Sequence, residues 1–331
     1  MSNVYRHMTP EDEEAVLLLW SEVFTVSYDY EAQRLNSDPR RYDTTFVASD
    51  NAGTVLATAH YRLHQRREQH GLPRLVGELD PVATRPEAQR QGHATQLVAR
   101  ALAAMEGDGC DWSLLATSEA GRPLYTRFGY TAFPMRYRRG ALNPACYEPC
   151  PYTARAVRPD EFDALWNEFE RIYAGYNAQR SLSVVRDQAY WATFIAPRLQ
   201  HRIADEQLQV FLAATDTTYQ HPCGYLLAHF FDVAFLIIEL AVDIRHRNAI
   251  ASLANAVGDE ARKRGLQYGE ADLPHPEENN RAVSRLFGAT LHLSDENTQI
   301  MARPISKAFT RARLERTFSE PGAFYAVLDH F

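Results

Sequence analysis

Two stretches of this 331-residue chain repeat one another across almost half its length. "YRHMTPEDEEAVLLLW" starts at Tyr5 and "ARAVRPDEFDALWNEF" at Ala154, so Arg6 meets Arg155, Pro10 meets Pro159, Glu14 meets Asp163 and Ala15 meets Ala164. Each copy reads as a short strand, a turn with Pro at the first helical position, and an amphipathic helix. The element order then continues in parallel. "TTFVASDNAGTVLATAHY" is a strand–turn–strand hairpin, and "LQVFLAATDTTYQHPCGYLLAHF" repeats it with a longer loop. "GELDPVAT" and "IIELAVDI" each supply a core strand ahead of a helix. A chain built this way is expected to fold as two copies of one α/β unit of about 150 residues, joined where three prolines interrupt Asn143–Pro151.

Within the first copy, "VATRPEAQRQGHATQL" is a strand running into a glycine-bearing turn and then a helix. Ala94, Leu97, Val98, Ala101, Leu102 and Met105 lie on one helical face, and Gly107 closes the run. Backbone N–H groups at such a helix start favour an anion such as a phosphate. Gly92 stands alone in its turn, so the three-glycine pattern of a Rossmann dinucleotide site is missing.

These residues resemble the GCN5-related N-acetyltransferases (GNATs). Gln89-Arg90-Gln91-Gly92-His93-Ala94 fits that family's Q/R-x-x-G-x-G/A cofactor turn, and "PLYTRFGY" resembles its Y-x-x-x-G-F/Y signature through Tyr125, Gly129 and Tyr130. The resemblance implies two tandem GNAT-like domains, each a mixed, mostly antiparallel sheet flanked by helices. It covers most of residues 3–140 and, more weakly, 152–305. The expected division is a first domain at 1–142, a linker at 143–151, a second domain at 152–305 and a tail at 306–331.

The resemblance also implies an acetyl-CoA-dependent acyltransferase acting on a primary amine. The pyrophosphate would rest on Gln89, Arg90, Gln91, Gly92, His93 and Ala94, and the pantetheine arm would pair along the backbone of Val82, Ala83 and Thr84. Tyr125 would protonate the departing thiolate. Glu78 would serve as base directly or through water, or as a structural hydrogen-bond partner, with Asp80 the alternative. Strand alternation places Glu78, Asp80 and Val82 on one face. His60, His64 and His93 are further candidates, each expected at the surface. No metal is called for.

The second copy diverges. No glycine occurs between Tyr225 and Val257, no tyrosine between Gly269 and Phe324, and Glu239 alone matches Glu78. It is expected to be degenerate, shaping the acceptor pocket or holding the pair together. Some tandem relatives use a C-terminal carboxylate in catalysis; Phe331 would do so only if the tail folds back to Tyr125.

Composition narrows the partners. A formal net charge of −7 argues against a basic nucleic-acid surface. The longest apolar run, Val233–Ile238, is far short of a membrane span, and the N-terminus lacks a signal peptide's apolar core. A cytoplasmic location is the expectation. Four scattered cysteines make neither a disulfide framework nor a zinc site. The alternatives in play are a non-catalytic acyl-CoA sensor or scaffold, and an enzyme acting on protein or peptide amines. Oligomeric state and the acceptor's identity are not written in the sequence.

Overall fold

The computed structural model describes all residues except 1–2, 144–146, 148, 205–206, 275–276, 288–291, 298–299 and 330–331. Its first half runs β1 (Val4–His7), α1 (Glu13–Phe24), α2 (Tyr28–Asn36), α3 (Arg41–Thr44), β2 (Thr45–Ser49), β3 (Val55–Arg67) and β4 (Pro73–Thr84). It continues through α4 (His93–Gly107), β5 (Trp112–Ala116), α5 (Arg122–Arg127), β6 (Thr131–Ala132) and β7 (Met135–Ala141). The second half repeats the order with β8 (Thr153–Ala156), α6 (Trp166–Asn177), α7 (Gln188–Tyr190), α8 (Ala196–Ala204), β9 (Leu208–Ala214), β10 (Pro222–Phe230) and β11 (Ala234–Val242). Then come α9 (Ala249–Lys263), β12 (Tyr268–Ala271), α10 (Glu277–Leu286), β13 (His292–Asn297), β14 (Ile300–Pro304) and, in the tail, α11 (Arg311–Ser319).

The repeated residues make the same local clamp twice. Arg6 grips Asp12 through both guanidinium nitrogens (2.5 and 2.9 Å), and Arg155 grips Glu161 likewise (2.7 and 3.0 Å). The same carboxylates accept the backbone N–H of Thr9 (2.8 Å) and Arg158 (3.0 Å), closing the turn ahead of α1 and α6. The arginine therefore ties the first strand of each half to its first helix.

Two seven-stranded sheets result, in the orders β1-β2-β3-β4-β5-β14-β6 and β13-β7-β12-β11-β10-β9-β8. Within each, one parallel pair (β4–β5, β11–β12) sits among antiparallel neighbours. The halves trade a strand. β7 leaves the first half to pair with β12 and β13, and β14 leaves the second to pair with β5 and β6. The expected boundaries at 142 and 152 thus follow chain order, while each sheet takes its sixth strand from across them.

Burial follows the same plan. Leu97, Val98, Ala101 and Met105 of α4 pack on Ala57, Ala59, Tyr61 and Leu79 of the first sheet. A larger core crosses between the halves, joining Val16, Trp20 and Leu35 to Phe169, Trp191, Phe194, Tyr225 and Leu328. The tail is buried too: Leu328 joins this core, while Phe324, Tyr325 and Ala326 pack with Val76, Trp112 and Leu114 of the first sheet. Among the described residues no helix is long and apolar enough to cross a membrane. The described cysteines, Cys110, Cys150 and Cys223, are free thiols; Cys146 lies outside the described residues.

Candidate active site

The first sheet opens where the parallel strands part. β4 and β5 pair only over Val76–Glu78 and Trp112–Leu114. From Leu79 to Thr84, β4 remains paired with β3 but leaves its β5-side backbone groups available to an added strand. A register shift between Ala59 and Tyr61 sets two residues, Asp80 and Pro81, against one on β3. The extra residue corrects the alternation expected from sequence. Glu78 and Asp80 stay on one face, but Val82 turns to the α4 side beside Leu79, and Ala83 to the opposite core.

The turn from Gln89 to Ala94 follows β4 and leads into α4. Gln89, Arg90, Gln91 and Gly92 are exposed, and Ala94 is half-buried at the helix start. Arg90 and Gly92 take left-handed conformations (φ of 61° and 88°), and no side chain caps α4. A Cβ on Gly92 would meet no protein atom within 4 Å, so its left-handed φ and not crowding is what favours glycine. Uncapped N–H groups at the start of a 15-residue helix form an anion cradle. His93 differs from its neighbours. Its ring turns inward, 1% exposed, and shares a 3.0 Å hydrogen bond with the Tyr5 hydroxyl, so only its backbone faces the cradle.

Tyr125 sits on α5, 8% exposed, its ring edge-on to Tyr130 at 5.9 Å. The motif's spacing has a local cause. Gly129 turns left-handed (φ 81°) to end the helix, and Tyr130 then donates its N–H back to the Tyr125 carbonyl. The Tyr130 hydroxyl meets Ser113 of β5 at 2.7 Å, pinning the unit to the strand beside the opening. Burial, with Asp80 and Tyr130 close by, raises the Tyr125 phenol above its ordinary value and keeps it protonated at neutral pH.

The carboxylates separate into two environments. Glu78 is 2% exposed and ion-paired to the fully buried Arg66, with His64 Nδ1 at 2.5 Å and Tyr325 of the tail hydrogen-bonded to it. Asp80 accepts from Arg34 Nη2 at 3.1 Å and keeps 36% of its side chain exposed. Burial and the neighbouring Glu78 push its carboxyl up to about 6, against the pull of Arg34. Arg34 also holds Glu31 of α2 at 3.1 and 3.2 Å.

The histidines expected at the surface are instead buried. His60 bonds Thr45 at 2.9 Å, and desolvation drives its pKa well down. His64 is likewise lowered by desolvation, even with Glu78 beside it. Phe331 lies outside the described residues. Sequence reasoning missed Arg34, Glu31, Arg66 and Tyr325. The i,i+3 spacing of Glu31 and Arg34 was the one available signal.

The second half keeps an uncapped 15-residue helix, α9, but differs around it. Asn248, at the start of α9, has a right-handed φ of −69°. β11 and β12 pair only as far as Ile237 and Ala271, and beyond that point the tail packs in. Phe324 and Ala326 join Glu239, Leu240, Leu273 and Pro274 around a remnant cavity of about 20 Å³. Glu239 is bound by Arg186 (2.5 and 3.0 Å) and the Tyr225 hydroxyl (2.7 Å).

Comparison with known proteins bears on the fold. Residues 4–133 match the family described as acetyltransferase (GNAT) domain. Residues 4–133 therefore carry a GNAT domain, and the chain as a whole shares the fold of tandem GNAT structures. No curated protein matches the sequence. Among solved structures, a probable N-acyltransferase from Enterococcus faecalis V583 aligns with a TM-score of 0.71 at 14% identity, over 92% of this chain and 73% of that one. A GCN5-related N-acetyltransferase from Anabaena variabilis gives 0.70 at 15% identity, with 92% and 73% covered. A tandem GNAT protein from the clavulanic acid biosynthesis pathway gives 0.53 at 13% identity, with 92% and 99% covered. At these identities the likeness is one of fold.

Proposed function

We propose that the first half transfers an acetyl group from acetyl-CoA to a primary amine of a small molecule, and that the second half binds no cofactor. The observation that supports this best is the conjunction of the β4–β5 opening, the uncapped α4 start and a protonated Tyr125 beside them. The backbone from Val82 to Thr84 would pair with the pantetheine arm, and the turn from Gln89 to Ala94 would hold the pyrophosphate through main-chain donors.

The chemistry follows. The acceptor enters as an ammonium and must lose a proton before its nitrogen attacks the thioester carbonyl carbon. One of the two β4 carboxylates, Glu78 or Asp80, takes that proton. As the tetrahedral intermediate collapses the C–S bond breaks, the Tyr125 hydroxyl supplies a proton to the thiolate, and the second proton shed by the acylated nitrogen restores the phenol, leaving amide and free thiol. Tail residues fill the second half's opening, and Glu239 is committed to Arg186; both favour a structural role there.

The test is free-thiol release from acetyl-CoA across a panel of small alkyl amines, amino sugars and lysine peptides. The proposal expects amine-dependent release by the full chain. Binding of acetyl-CoA with no release to any amine would favour an acyl-CoA sensor, and release with the peptides alone would move the acceptor class to protein amines.

A further inference from the structure

We propose that Asp80, held in place by Arg34 of α2, is the group that takes the proton from the acceptor ammonium, and that Glu78 behind it is structural. This rests on the acetyltransfer reading and sharpens it. Glu78 Oε1 is held by Arg66, His64 Nδ1 packs against Oε2 at 2.5 Å, and the tail covers the group through Tyr325. A carboxylate sealed in that way has no approach for an acceptor, and stripping it of Arg66 would strand a buried charge. Asp80 lies two residues along the same face, on the stretch of β4 that the strand opening exposes.

Its surroundings suit a base. Arg34 and Glu31 face it from α2, Arg198 from α8, Glu78 from β4 itself, Tyr125 from α5 and Tyr325 from the tail. Arg34 fixes the carboxylate's position with one nitrogen while its other nitrogen is anchored on Glu31, which is fully buried. A carboxyl near 6 is ionised at neutral pH yet remains basic enough to accept a proton in the transition state. In the step, an ammonium N–H bond breaks, its proton passes to Asp80, and the freed lone pair forms the new C–N bond. Arg34 is a positioning residue, since it touches Asp80 and not the reacting atoms.

Two small amines separate base catalysis from structure: ethylamine, protonated at pH 7, and hydroxylamine, largely neutral there. With acetyl-CoA affinity unchanged as the check on folding, Asp80→Asn should slow ethylamine-driven thiol release by roughly 10²–10⁴ and hydroxylamine-driven release by less than about tenfold. Arg34→Gln should move the acidic limb of kcat/KM for ethylamine to higher pH, because losing the cation raises the Asp80 carboxyl further. Arg34→Lys should restore the limb. Equal loss with both amines in Asp80→Asn, or an ethylamine-selective loss in Glu78→Gln, would overturn the assignment. A wild-type chain that binds acetyl-CoA but acetylates neither amine would overturn the acetyltransfer reading, and the base role with it.

Discussion

Arg186→Met is expected to destabilise the whole chain by about 3–5 kcal/mol, the cost of leaving buried carboxylates without their cation. Arg186 is fully buried between Glu239 and Asp329, and it stacks on Tyr173 at 3.8 Å. Its Nε and Nη2 reach Asp329 at 2.8 and 3.0 Å, so one guanidinium locks the tail to β11. In thermal unfolding the loss should appear as a Tm lower by roughly 5–10 °C. Neutralising all three partners, with Arg186→Met, Glu239→Gln and Asp329→Asn together, should recover most of it.

The pH dependence has a definite sign. Burial would raise the Asp329 carboxyl, but Arg186 overcomes this and holds it below the ordinary aspartate value. A depressed carboxylate contributes stability above its unfolded pKa, and that contribution fades as pH falls through its folded value. Without Arg186 the buried charge becomes a liability that protonation relieves. The Tm gap between wild type and Arg186→Met should therefore be widest at pH 7 and narrow as pH falls towards about 4.

Tyr125→Phe is expected to cut turnover by roughly 10²–10⁴ while acetyl-CoA affinity stays within about twofold. The ring packs against Tyr130 and the α4 core, and phenylalanine keeps that packing. Only the proton is lost. In the proposed mechanism the hydroxyl serves a thiolate that forms as the C–S bond breaks, so the loss should fall on kcat rather than on KM. Steady-state thiol release with a saturating amine measures it. Turnover within a few-fold of wild type would reduce Tyr125 to a packed aromatic and require another proton source.

Much of the fold was legible because its signals are local. Repeated clamps at Arg6 and Arg155, the Asp50 turn with Gly53 left-handed, and the apolar face of α4 each follow from neighbours a few residues apart. The strand exchange was not legible. Met135–Ala141 and Ile300–Pro304 read as strands whichever sheet receives them, since pairing partners lie far away in sequence. The site divides in the same way. Gly92 and Tyr125 belong to contiguous motifs, whereas separating Glu78 from Asp80 depended on Arg66, Arg34 and a tail more than 240 residues downstream. A one-residue bulge was enough to put Val82 on the other face.

The central claim is that one half of this tandem chain, and only one, holds acetyl-CoA, with the Gly92 turn beneath its pyrophosphate. Calorimetric titration of acetyl-CoA onto the full chain tests it directly. Wild type should saturate at one equivalent per chain, and Gly92→Asp, which adds a negative charge and a side chain at φ 88°, should weaken binding at least about tenfold, roughly 1.4 kcal/mol. Two equivalents per chain, or full affinity in a folded Gly92→Asp variant, would contradict it.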